Sequence, residues 1–173
     1  MKTLRLVSML LTVSVAFACQ QTVLTQESAK AKLQKIYDQM NALAMKKDAS
    51  GLAKLMKEIA ARDYFGVDKS GAKLTLAQET ASLYQQISRI SEFTKAKGHI
   101  ESVSIKLNSA VVLVSSSYEL STKPTPNGKS HVYSGTAMNE DTWVYLNGTW
   151  KRRIARTIRT TASVDGKLVR DGK

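Results

Sequence analysis

Asp141-Thr142-Trp143-Val144-Tyr145-Leu146-Asn147-Gly148-Thr149-Trp150-Lys151 is the stretch that decides the fold. Asn-Gly readily takes the positive φ angles of a two-residue type I′ turn, the tightest way to join two antiparallel strands. The stretch is therefore predicted as a hairpin. Its first strand runs from about Ser130 to Leu146, and its second from near Trp150 to about Ala162. Upstream, Pro124-Thr125-Pro126-Asn127-Gly128 reads as a further hairpin loop. Before that loop, Val112, Val114, Ser116, Tyr118 and Leu120 mark one strand, and Val103, Ile105 and Leu107 alternate with polar residues in another. From about residue 94 onward the chain is predicted to be four antiparallel strands.

Ahead of residue 94 the period is helical. Leu33, Ile36, Tyr37, Met40, Leu43 and Ala44 form one apolar stripe, with Lys30, Lys32, Lys35 and Asp38 on the other face. Leu52, Leu55, Met56 and Ile59 form a second stripe, and Asp48 is placed to cap that helix. Residues 62–73 are irregular and end in the turn Asp68-Lys69-Ser70-Gly71. Thr75 and Gln78 make a capping box for a third helix carrying Leu76, Leu83, Tyr84, Ile87 and Ile90 inward. Three N-terminal helices followed by antiparallel strands is an α+β order. It leads to an expectation of helices packed in a strongly curved, cone-shaped sheet.

The spacing of these pieces resembles the nuclear transport factor 2-like superfamily, in its SnoaL-like and ketosteroid-isomerase-like branches. The matching residues are Asp48, Gly51, Leu52 and Leu55, then Asp68 and Gly71. The last set is Asp141, Thr142, Trp143, Val144, Asn147, Gly148, Trp150 and Lys151. The superfamily holds isomerases, dehydratases, epoxide hydrolases and binding subunits. The isomerase branch abstracts a proton beside a carbonyl, using a carboxylate base and donors to the enolate oxygen. The resemblance implies Asp68 as the base and Asp141 as the second acid. Its tyrosine donor falls at Met40, which has no donor. Tyr37 lies one turn earlier on the same face. The bland alternative is that Asp68 serves its turn and Asp141 pairs with a lysine or arginine.

Tyr37, Tyr64, Tyr84 and Trp143 are the expected ligand-binding residues, with Asp68 and Asp141 as the catalytic candidates. The pocket is expected between the first helix, the third helix and the inner sheet face. Tyr145 and Trp150 serve a core or a pocket wall equally well. In the last strand Trp150, Arg152, Ile154, Arg156 and Ile158 share one face, with Lys151, Arg153, Ala155, Thr157 and Arg159 on the other. An inward arginine would bind an anion by a two-pronged hydrogen bond. Charge on a strand more often meets solvent, here with Glu119, Glu140 and Asp141 as partners. His99 and His131 have no ligands at metal spacing, so neither a metal nor another cofactor is expected. Phosphate loops, dinucleotide fingerprints and Gly-x-Ser-x-Gly elbows are absent.

The chain has 173 residues, a net charge of +12, two histidines and one cysteine. Hydrophobic residues make up 43%, which argues against global disorder. Lys2 and Arg5, the apolar run Leu6 to Val15 and the site Ala16-Phe17-Ala18 together read as a signal peptide. Residues 1–18 are the expected signal, 19–26 a leader, 27–162 the domain and 163–173 a polar tail. Cleavage after Ala18 would release a secreted or periplasmic protein. Lipidation of Cys19 is the alternative, although Ala16 and Phe17 fit a lipobox poorly. In an exported protein the positive charge points to anionic envelope surfaces, or to nothing beyond solubility, rather than to nucleic acid.

The function expected is an exported small-ligand-binding or interaction module without catalysis. The first alternative is a cofactor-free isomerase, dehydratase or hydrolase, and the second a structural envelope protein. The partners expected are a small hydrophobic or anionic ligand and a second copy of the chain. Neither nucleic acid nor a membrane span in the mature chain is expected.

Overall fold

The computed structural model describes residues 24–169, so the expected signal peptide and Cys19 lie outside the described residues. Helix α1 (Gln26–Met45) is capped by Thr25, whose side chain accepts from the Ser28 amide at 3.1 Å. Its buried residues Ala29, Leu33 and Tyr37 fall one turn apart. Helix α2 (Ala49–Ile59) is capped by Asp48, which accepts from the Gly51 amide at 2.8 Å. Strand β1 (Ala60–Val67) follows without a loop, then β2 (Lys73–Leu74) and helix α3 (Leu76–Arg89). The capping box of Thr75 and Gln78 is formed at the start of α3. The long strands are β3 (Ile90–Lys106), β4 (Ser109–Thr122), β5 (Val132–Leu146) and β6 (Thr149–Val164), with a short β7 (Lys167–Val169) after them.

The strands form one sheet in the order β2-β1-β6-β5-β4-β3, with β7 also against β6. It is strongly curved and does not close. All its pairings are antiparallel except β1 with β6. At the β5–β6 hairpin Leu146 faces Thr149, and Asn147 and Gly148 take φ of 49° and 81°. That is the two-residue turn its dipeptide favours. The core lies under α1: Leu33, Ile100, Val112, Val114 and Trp143 are almost wholly inaccessible, with Ile59 and Trp150 beside them.

Several expectations need correction. The helices are not three in succession, because β1 sits between α2 and α3 and pairs parallel to β6. The run Ala60–Val67 alternates poorly, because charged Arg62 and Asp63 interrupt it. Leu107 is no inward strand residue: it is 86% exposed at the β3–β4 turn with φ of 55°. Residues 163–169 are not a loose tail, since β6 runs through Val164 and turns into β7. Gln26, assigned to the leader, already opens α1. Among the described residues, no helix is long and apolar enough to cross a membrane.

Candidate functional site

The inner face of the sheet carries a polar cluster against α1. Tyr37 follows Leu33 by one turn on the buried stripe, and its ring meets Trp143 edge-on at 6.0 Å. Asp141 and Trp143 are two residues apart on β5, so both face inward, and both are buried. Arg152 reaches the same place through a β-bulge. Trp143 pairs with Arg152 and Thr142 with Ile154, so Arg153 is an extra residue on β6. Before the bulge Trp150 and Arg152 are the buried residues. After it Ala155 and Thr157 line the interior. The sidedness expected for β6 therefore holds only in pieces. Arg152 is 7% exposed, not a solvated strand charge, whereas Arg156 does pair with Glu140 near the surface at 3.7 Å.

The Tyr37 hydroxyl donates to Asp141 Oδ2 at 2.6 Å and accepts from Trp143 Nε1 at 3.2 Å. Arg152 Nη1 donates to the same carboxylate oxygen at 3.4 Å. The Arg152 guanidinium also lies 5.5 Å from the Tyr64 ring centre and 6.0 Å from that of Trp143. Tyr64 donates to Glu79 Oε2. Glu79 comes close because residue 66 is glycine. A Cβ there would stand 1.9 Å from Glu79 Oε1.

Burial, and then the charge of Asp141, push the Tyr37 phenol well above its ordinary value. Burial does the same to Tyr64. Burial alone would pull Arg152 down, but Asp141 and the two tyrosines hold it above the usual guanidinium range. Trp143, Tyr37 and Tyr64 thus surround a buried ion pair, and Arg152 Nε is buried there without a hydrogen-bond partner.

Next to this cluster is a cavity of 280 Å³. Tyr37, Asp68, Asp141 and Arg152 border it, with Asn41, Ser116, Asn139 and Thr157 as further polar lining. A neighbouring hollow of 340 Å³ shares Glu79 and Arg152 and adds Tyr64. The structure therefore gathers Tyr37, Tyr64, Asp141 and Trp143.

Asp68 stands apart at the mouth. Its Oδ1 accepts from Ser70 Oγ at 2.6 Å and from the Ser70 and Ala72 amides at 2.9 Å each. The Ser70 hydroxyl, then the turn amides, hold its carboxyl below the usual range. Tyr84 is 47% exposed on α3 and borders neither space, because α3 turns Leu83 and Ile87 inward instead. Arg152 and Glu79 are the members that sequence reasoning missed. A signal existed for Arg152, since the Asn147-Gly148 turn sets Trp143 opposite it. Nothing local announces Glu79. Among the described residues, no group of three or more His, Cys, Asp or Glu is placed to hold a metal ion.

No protein-family model and no curated protein matches the chain. Solved structures do. A conserved protein from Planctomyces limnophilus is 13% identical over 76% of this chain and 95% of its own, with a TM-score of 0.58. A nuclear transport factor 2-like superfamily protein from Salmonella enterica serovar Typhimurium is 13% identical over 76% and 90%, with a TM-score of 0.54. Aln2 from a Streptomyces species is 16% identical over 79% and 94%, also at 0.54. The fold is nuclear transport factor 2-like. At these identities the likeness speaks to the fold alone.

Proposed function

We propose that this chain is an exported small-ligand-binding module that seats its ligand in the 280 Å³ cavity and does not turn it over. One observation carries the reading: the groups an isomerase would use are already committed. The Tyr37 proton goes to Asp141, Asp141 is paired with Arg152, and the Asp68 carboxylate is held by its own turn. A base with a lowered proton affinity is poorly matched to proton abstraction at neutral pH. Binding capacity, in contrast, is unspent. Arg152 lines the cavity as a cation, and Asn41, Ser116, Asn139 and Thr157 add uncharged polar groups to the same wall. Asp68, Glu79 and Asp141 border the same space, so an uncharged oxygen acceptor fits better than an anion. Export rests on the charged start, apolar run and Ala16-Phe17-Ala18 site.

Saturation-transfer NMR with matched pairs of small carboxamides and carboxylates tests the reading. The carboxamides should show contacts, and Thr157→Phe, which fills the cavity, should abolish them. Preferential carboxylate binding, or contacts that survive Thr157→Phe, would refute it. Deuterium incorporated into a bound ketone in heavy water would revive the alternative of a cofactor-free isomerase. Intact-mass analysis of the exported protein checks cleavage after Ala18 and any lipid on Cys19.

A further inference from the structure

A second hollow lies at the other end of the sheet's inner face. α3 packs on α2 and β1, and α1 covers β3 nearer the β3–β4 turn. Between α3 and the far ends of β3, β4 and β5 is a space of 530 Å³, within the range of about 300–1,000 Å³ that small-molecule pockets occupy. Its walls are Leu52, Leu83, Ile87, Phe93, Leu120 and Tyr133. Leu83, Phe93, Leu120 and Tyr133 are only half-buried, so this apolar surface is incompletely covered.

Basic residues gather near its rim. Arg89 lines the opening at the C-terminal end of α3. The Lys123 amide donates to the Arg89 carbonyl at 2.8 Å, and Lys47 Nζ donates to the Ser91 carbonyl at 2.5 Å. A helix C-terminus favours such cations. Among the described residues, none of the three side chains has a carboxylate at ion-pair distance. Of the acids at this end, Asp48 accepts from the Gly51 amide at the start of α2, Asp165 is engaged by His131 and the Val132 amide, and two more point away. Phe93 pairs with Leu120 on the inner side, so the neighbouring Glu92 and Glu119 fall on the opposite face.

An apolar trough with a cationic rim complements a molecule with an apolar chain and an anionic head. We propose that this hollow binds a single-chain anionic amphiphile of the fatty-acid type, with its chain along Ile87, Phe93 and Leu120 and its carboxylate at Arg89 and Lys123. The proposal uses other residues than the Arg152 cavity, so either can fail without the other.

Titration of the chain with dansylated undecanoic acid, read by dansyl emission, tests it. Binding should saturate at one probe per chain. Dodecanoate should displace the probe at a concentration about tenfold lower than dodecyltrimethylammonium does. The double substitution R89E/K123E changes exposed side chains and should erase or invert that preference. Leu83→Glu, at a half-buried wall position, should weaken the probe, with circular dichroism verifying the fold. No saturable binding would overturn the proposal. So would equal displacement by the two competitors, or indifference to both sets of substitutions. Binding to phosphatidylglycerol vesicles but not to the monomeric probe would overturn it in favour of a membrane surface.

Discussion

The two ends of the sheet have similar strand composition and different fates. At the end with the Leu107 and Asn147–Gly148 turns, Ile100, Val112, Val114 and Trp143 are buried beneath α1. At the end with the Pro124–Gly128 loop, Phe93, Leu120 and Tyr133 keep half-open faces over a hollow. Valine and tryptophan at one end and phenylalanine and leucine at the other read alike as inward strand residues. The difference lies in helix coverage. A 20-residue helix reaches about 30 Å, and α1 sets its buried residues Ala29, Leu33 and Tyr37 on the closed end and brings Ala44, near its C-terminus, to the edge of the hollow. The closed end holds a buried ion pair with its hydrogen bonds, while the open end holds apolar surface and exposed basic side chains. Dry polar groups demand partners, and half-open apolar groups invite a ligand.

The largest effects should come from breaking the closed end. Arg152→Met leaves Asp141 as an unpaired buried charge and should cost about 3–5 kcal/mol by urea denaturation. The double variant Asp141→Leu with Arg152→Met should recover most of that loss, because the pair's mutual dependence disappears with both partners. Leu33→Ala, at a fully inaccessible position, should cost about 2–5 kcal/mol, and Leu120→Ala at the open end less than about 1 kcal/mol. Equal losses at Leu33 and Leu120 would mean that the ends are equally packed.

A smaller effect is expected from Tyr37→Phe, which removes the hydrogen bond to the Asp141 carboxylate and the acceptor of Trp143 Nε1, and should cost about 1.5–3 kcal/mol. Smaller still, and opposite in sign, is Leu107→Gly. A leucine at φ of 55° with its side chain in solvent carries backbone strain that glycine lacks. Thermal denaturation should show a gain of about 0.5–1 kcal/mol, the relief of strain exceeding the added unfolded-state entropy.

The smallest expected effect concerns Asp68 and is read through pH. The folded-state value of Asp68 lies below its unfolded value. Its contribution is therefore complete above about pH 4 and is lost as pH falls through the depressed folded value. Asp68→Asn should flatten that acid limb slightly and leave stability at neutral pH nearly unchanged. A marked neutral-pH loss would show that Asp68 does more than hold its turn.

Much of the fold was legible because its signals are local. The Asn147–Gly148 turn, the Thr75–Gln78 box and the Asp48 cap each satisfy backbone groups within a few residues. β1 was not legible, since its only long partner is β6 and Arg62 and Asp63 disrupt its alternation. The site was half legible. Tyr37, Asp141 and Trp143 stood out by type and spacing, whereas Tyr84 was wrongly placed because the apolar stripe of α3 admits two rotations about the helix axis. Arg152 looked like surface charge until the Arg153 bulge fixed which face it takes.

The sequence by itself therefore determined the elements, their caps and turns, and the pairing across the last hairpin, since all of these depend on groups close along the chain. The tertiary structure alone decided that Arg152 is buried against Asp141, that Glu79 reaches Tyr64 over Gly66, and that one end of the sheet stays open. Those outcomes depend on bulge phase and on where a helix of fixed length lies across a curved sheet, and no short stretch of residues encodes either.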